Sequence, residues 1–160
     1  MNFSTRDALV AQLTDSQQQL TALLSAVARD QDWRPAHDQW SFRFIAAHLA
    51  VGERECLLVR VQQFANEANP QFAWYDNSNR DFSHLDLTDA LHLWAEARKE
   101  IIAFIRGLTE EKFATTAQHS SYGEITLLDY LKIWLEHDAE HLNNLQMMLM
   151  SYRKQTGGKI

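Results

Sequence analysis

The chain reads as an all-α protein, a single bundle of four long helices, and three observations predict it. Apolar residues recur at spacings of three, four and seven over four long stretches. Each stretch opens on a side chain suited to cap a helix: Ser4, Ser41, Asp86 or Thr88, and Thr126. No long apolar/polar alternation bounded by Asn-Gly or Asp-Gly turns is present, nor any internal repeat or low-complexity tract, so no strand is expected.

Composition narrows the class further. A chain of 160 residues forms one domain that buries about two-thirds of the surface its unfolded state exposes, so folding does not need a metal. An apolar fraction of 46% and a charged fraction of 22% are those of an ordinary globular protein, not a disordered or membrane chain. The net charge of -6 argues against a nucleic-acid surface. The basic pairs Arg98-Lys99 and Arg153-Lys154 are too small for such a footprint and are assigned to solvated helix faces. The N-terminal residues carry no apolar run of the secretory kind, and the most apolar stretches, such as Ile101 to Ile105, are too short to cross a bilayer. A cytoplasmic location with no membrane partner is the expectation. The single cysteine, Cys56, cannot form an internal disulfide and reads as a small apolar helix residue in a reducing compartment.

In chain order, Ser4 with Asp7 in the first turn opens helix one over residues 5–29, with Leu9, Leu13, Leu20, Leu24 and Val27 as its seam. Ser16 and Gln17 interrupt that seam, either as a polar notch facing a pocket or as a tolerated surface turn. A loop containing Trp33 and Pro35 follows. Ser41 caps helix two, which runs to about Asn66, and Trp40 is placed to pack on Ile45 as a hydrophobic staple. Phe44, Ile45, His48, Val51, Gly52 and Glu55 share one broad face. His48 there is either a core histidine satisfied by hydrogen bonds or a ligand. Gly52 costs about 1 kcal/mol against alanine in a helix and leaves space beside His48. Glu55, roughly 10 Å further along the axis, is a pocket acid or base or else a half-exposed helix charge.

Residues 67–86 form the longest linker, long enough to cross the end or side of a bundle. Its Phe72, Trp74 and Tyr75 either contact substrate or anchor the crossover. Helix three, from Asp86 or Thr88, carries Leu91, Trp94, Ile101 or Ile102, and Ile105, and ends at Gly107. A polar loop with His119 on its exposed side leads to Gly123. Helix four opens on Thr126 and Asp129 as a capping box and runs to Tyr152. Residues 1–152 are thus the bundle, and residues 153–160 a flexible tail.

Helix four carries the strongest functional signal. His137 and His141 project from one face about a turn apart, the separation one tetrahedral ion needs from two imidazoles. Seven histidines give about 0.3 such pairs by chance, so a third ligand is required, and His48 is the candidate. Tyr130, Asn144 and Met148 share the stripe of the pair, flanked by Trp134, as the floor of a metal pocket should look. Trp40, Gly52, Trp134 and Asn144 are therefore candidate pocket walls, and Tyr130 joins Glu55 as a candidate catalytic group. Three neutral imidazoles leave a dication an open position, where a water falls to a pKa of about 7 or a thiol ionises. Glu136, Asp138 and Glu140 project about 100° away and read as solvent-facing charges. Asp138 stands where a zincin needs Glu, and the Asp89-x-x-His92 and Asp138-x-x-His141 spacings only echo a di-iron bundle. No phosphate loop, nucleophile elbow or paired-cysteine site is present.

Taken together, Trp40-Ser41 at the entry to helix two, His48, Arg98, the Gly123 to Thr126 start of helix four and His137-x-x-x-His141 resemble the DinB/YfiT-like superfamily over nearly the whole chain. The resemblance implies an up-down-down-up bundle with its long crossover between helices two and three. It also implies that His48, His137 and His141 hold a divalent ion, zinc or nickel, with water in the open positions. Relatives of this kind include thiol-dependent S-transferases and a mycothiol-dependent isomerase, so a low-molecular-weight thiol is an implied co-substrate. The leading expectation is a metal-dependent transferase or hydrolase acting on a small molecule. The competing one is a bundle that binds a metal or ligand without turnover and acts through a homodimer face.

Overall fold

The computed structural model describes residues 4–157, and its architecture follows from where each helix can start and what each helix must bury. α1 (Thr5–Ala26) begins where the Ser4 hydroxyl accepts from the Asp7 amide, and it ends in a 3-10 turn at Ala28–Asp30. α2 (Phe42–Gly52) is capped by Ser41, whose hydroxyl accepts from the Phe44 amide at 3.1 Å. It passes without a break through a π turn (Glu53–Leu57) into α3 (Leu58–Asn66), so that the three segments form one long helix. The crossover then leads to α4 (Leu87–Arg106), capped by Asp86, and a 3-10 turn at Glu110–Ala114. α5 (Leu127–Thr156) opens on the capping box of Thr126 and Asp129. The result is a four-helix bundle with an up-down-down-up path and the long connection between its second and third helices. Among the described residues, no helix is long and apolar enough to cross a membrane.

Three short strands correct the expectation that the chain has none. β1 (Gln71–Phe72) lies in the crossover, and β2 (Thr116–His119) and β3 (Gly123–Thr126) form a hairpin before α5. β1 pairs with β2 in parallel, with Phe72 opposite His119, and β2 pairs with β3 antiparallel, with His119 opposite Gly123. Strands of two and four residues are too short to print an alternation. The hairpin closes on Gly123 at a φ of 72°, a left-handed position that glycine takes without steric cost, instead of on the sought Asn-Gly or Asp-Gly. The sheet pins the crossover against the start of α5 and turns His119 inward. His119 is 5% exposed, where an exposed loop position was expected.

The core is divided in two. One apolar cluster gathers Leu9, Leu13, Leu57, Phe64, Ile101, Ile105 and Leu131, and the other Leu20, Leu24, Phe42, Ala46, Trp94, Leu145 and Leu149. Between them each helix contributes one polar side chain: Ser16, Glu53, Arg98 and Asp138. The seam interruption at Ser16 is therefore neither a pocket notch nor a surface turn, but one quarter of a buried polar layer.

Arg98 is fully buried, which overturns its assignment to a solvated face. Its Nε and Nη2 donate to the two oxygens of Glu53, Nη2 also donates to Asp138 Oδ2 at 3.0 Å, and Nη1 donates to Leu13 O at 2.6 Å and Ser16 Oγ at 3.3 Å. Burial alone would lower the Arg98 pKa, but the two carboxylates outweigh it and raise it, so the guanidinium stays charged. Glu53 also accepts from Trp134 Nε1 at 3.1 Å.

α5 continues past Tyr152 to Thr156, so residues 153–156 are helical where a flexible tail was expected. The reason is Tyr152, which is buried against Trp33 and Phe42 and donates its hydroxyl proton to Asp30. Residues 1–3 and 158–160, including the end of the expected tail, lie outside the described residues.

Replacing Arg98 by Met leaves two carboxylates buried without their cation, and a loss of about 3–5 kcal/mol is expected. Urea denaturation measures it as a lowered midpoint at unchanged slope. A loss under about 1 kcal/mol, the range of a surface pair, would contradict the description of this layer.

Candidate metal centre

Three of the histidines named from the sequence meet at one point. α2 delivers His48, α5 delivers His137 and His141, and one ring nitrogen from each lies within 4.8 Å of the others. The ring centroids are 4.4 to 5.6 Å apart. Nε2 of His137 and Nε2 of His141 are separated by 3.1 Å, close to the edge of about 3.3 Å that a tetrahedral ion with nitrogen ligands at about 2.0–2.1 Å requires. Burial pushes all three rings below the ordinary histidine pKa, His141 down to about 3 with the other two rings adding to the effect. Neutral rings with converging lone pairs are the state in which imidazole binds a cation.

The tautomer of His48 is set by Asn77, a residue of the crossover that sequence reasoning did not single out. The Asn77 Nδ2 donates to His48 O at 3.1 Å and to the Tyr75 hydroxyl at 3.3 Å, which turns Oδ1 toward the imidazole. His48 Nδ1–H donates to that oxygen and leaves Nε2 as the free lone pair. Among the described residues, His137 Nδ1 is buried without a hydrogen-bond partner, and 4.0 Å away stands Asp138 Oδ1, equally unpartnered. Asp138 was expected among solvent-facing charges. It is 1% exposed because α4 supplies Arg98 to meet it, while Glu136 and Glu140 are exposed as expected. The donor set therefore fits a divalent ion: three neutral nitrogens, one held in tautomer, beside a buried cluster of one cation and two anions.

A cavity of about 200 Å³ runs from this point between the π-turn helix and α5. Gly52, Tyr130 and Trp134 line it, as do His48 and His137. A Cβ on Gly52 would stand 3.6 Å from Asn77 and 4.0 Å from Trp134, so the glycine leaves room for about one methyl group. Trp40 sits on the opposite side of the histidines, its ring 4.8 Å from that of His48 and stacked at 6.1 Å on His141, and it packs on Phe44 at 4.6 Å, one residue before the expected Ile45. Asn144 is exposed and Glu55 is half-exposed, and neither is on the cavity wall. Glu55 instead pairs with Arg80 at 2.6 Å and accepts from Tyr75 at 3.1 Å. Tyr130 lies at the far end of the cavity, its hydroxyl against Cys56 and Arg60, and burial raises it above the ordinary phenol range. Trp134 separates it from the histidines, 6.3 Å from its ring and 5.3 Å from His137. Glu53, Asn77, Arg60 and His119 are the residues of this region that the spacing of helix faces did not reveal.

Residues 12–145 match the family model of the DinB superfamily. The chain belongs to the DinB superfamily. Among solved structures, YfiT from Bacillus subtilis aligns with this DinB-superfamily chain at a TM-score of 0.79 and 21% sequence identity, over 96% of this chain and 89% of that one. YfiT is described as a probable metal-dependent hydrolase with an unusual four-helix bundle topology, and at that identity the likeness is one of fold. No curated protein matches the chain.

For the DinB-superfamily site described here, His137→Ala is expected to abolish most ion binding in elemental analysis of tag-free protein while circular dichroism shows unchanged helix content. Wholesale unfolding of that variant would contradict the division between core and site. Asn77→Ala, which releases the His48 tautomer, is expected to weaken divalent-ion affinity about 10–100-fold in a chelator-competition titration.

Proposed function

We propose that the chain is a cytoplasmic, divalent-metal-dependent hydrolase of a small molecule, with His48, His137 and His141 as ligands of a zinc or nickel ion. The observation that carries this reading is the convergence of three neutral imidazole nitrogens at the end of a cavity. An ion bound there supplies a water nucleophile near neutral pH, by lowering the pKa of water to about 7, or ionises a thiol. The description of YfiT as a probable metal-dependent hydrolase supports the first of these, and the donor set is the three-ligand type that keeps a position open for reactants.

The side chains around the point have distinct duties. Asn77 keeps His48 in the tautomer that presents Nε2. Trp40 and Trp134 flank the histidines with apolar surface, which lowers the local polarity and strengthens the electrostatic interactions beside them. Asp76 is the carboxylate on the cavity wall, and the amide (2.8 Å) and hydroxyl (2.9 Å) of Ser78 donate to its two oxygens. Those bonds hold its pKa below the ordinary carboxylate value, so at neutral pH it is an acceptor that orients a water or a substrate N–H. The layer of Glu53, Arg98 and Asp138 carries one net negative charge on the side of His137, which complements a dication.

Tag-free protein is expected to hold about one divalent ion per chain, and hydrolysis of amide or ester substrates is expected to vanish on chelation and return with the ion. Absence of bound metal would overturn the proposal. The same assay run with bacillithiol, mycothiol and glutathione separates hydrolysis from thiol-dependent S-transfer: turnover that needs one of them, and is lost with chelator, favours the transferase.

A further inference from the structure

We propose that the end of the cavity remote from the histidines is an oxyanion subsite, formed by Arg60 and His119 with Tyr130 beside them, and that it binds a carboxylate of the substrate. The substrate assignment rests on the reading of the cavity as a reaction chamber, whereas the anion site rests on its own donors. Arg60 extends from α3 over the ring of Phe72, 4.9 Å from its centroid, and donates from Nη2 to Ala73 O at 2.6 Å and from Nη1 to the Tyr130 hydroxyl at 3.3 Å. Among the described residues, every Arg60 partner is neutral, and no carboxylate oxygen lies within 4.0 Å of its nitrogens. A half-buried guanidinium with no anion facing a cavity is an unsatisfied charge.

His119 sharpens the case. Its Nδ1 accepts from the Ser121 amide at 3.1 Å, so the proton of the neutral ring is on Nε2. Burial and the adjacent Arg60 hold that ring below the ordinary histidine pKa, which keeps it neutral. Nε2 stands 3.4 Å from Arg60 Nη1, so two N–H donors face one another. An oxygen anion placed against both removes the repulsion and gains two charge-assisted or polar hydrogen bonds.

The donor count favours carboxylate. One N–H of Nη2 is used by Ala73 O and one of Nη1 by the Tyr130 hydroxyl, so the second N–H of Nη1 and the His119 Nε2–H remain side by side, a match for the two oxygens of a planar monoanion. Around it Trp74 and Tyr122 are 61% and 45% exposed, with ring centroids 6.3 Å apart, and supply apolar surface for the body of such a ligand. The π turn is what puts both ends on one wall. In a regular helix Arg60 would face about 120° away from His48, and the wider turn at Glu53–Leu57 unwinds much of that difference. Tyr130 and His137 are seven residues apart on α5, a rise of about 10 Å, which sets the span between the carboxylate and the reacting end.

The test uses metal-stripped protein, so it does not depend on the metal centre. 3-Phenylpropionate, its neutral amide and inorganic phosphate are titrated by NMR, following both ligand and protein resonances, and by Trp fluorescence. The carboxylate is expected to bind at least tenfold more tightly than the amide and more tightly than phosphate, and Arg60→Gln to bring carboxylate and amide within about twofold. In wild-type protein the carboxylate is expected to shift the His119 ring and Trp74 indole resonances, a readout that stands even if the variant fails to fold. Equal binding of acid and amide, a preference that survives Arg60→Gln, shifts confined to other residues, or phosphate binding more tightly than carboxylate would each overturn the proposal. Metal-free purified protein would defeat the hydrolase reading and leave this titration untouched.

Discussion

The buried guanidinium of Arg98 is the constraint on which the rest of this bundle depends. All five of its hydrogen-bond donations are used, and they reach α1 at Leu13 and Ser16, the π turn at Glu53 and α5 at Asp138. Moving one of these helices by a turn along its axis would leave a charge without its partner in a medium that solvates charge poorly. The penalty for that is several kcal/mol, more than a comparable slip costs in a purely apolar seam, where one leucine replaces another. The layer thus sets the register of four helices against each other, and the two apolar clusters above and below it supply the bulk of the burial.

The three-histidine cluster inherits its geometry from that register. His137 is the chain neighbour of Asp138, so anchoring the carboxylate on α4 fixes the turn of α5 that carries both histidines. His48 is fixed from another direction, through Asn77 in the crossover, and the crossover is in turn pinned by the pairing of β1 with β2. A three-stranded sheet that looks incidental in a helical protein therefore positions both Asn77, which orients His48 at one end of the cavity, and His119 at the other.

The π turn has a comparable reach. It is the point at which Glu53 turns into the core while Glu55, two residues on, remains at the surface in a pair with Arg80. Cys56 within it and Arg60 beyond it continue the wall that His48 and Gly52 begin. Its wider backbone ring is stabilised by what it brings inward, chiefly the carboxylate that meets Arg98 and Trp134.

Much of this was written in the sequence in the form of local rules. Ser4, Ser41 and Thr126 cap helices because a hydroxyl accepts from an amide three residues on, which needs no knowledge of the rest of the chain. The His137/His141 pair likewise follows from helical pitch, and His48 from its place on an inward face. A polar layer was also present as pattern: Ser16 between Leu13 and Leu20, Glu53 between Ala50 and Leu57, Arg98 between Trp94 and Ile101, and Asp138 between Leu131 and Leu145. What periodicity reports is that a position faces inward, not which side chain on another helix stands at the same level. Only the packing of helices makes Arg98 the partner of Glu53 and Asp138, brings Asn77 onto His48, and turns Arg60 and His119 into one cluster. These are contacts between residues distant in the chain, decided by the register of helices and the path of a crossover, and no local spacing encodes them.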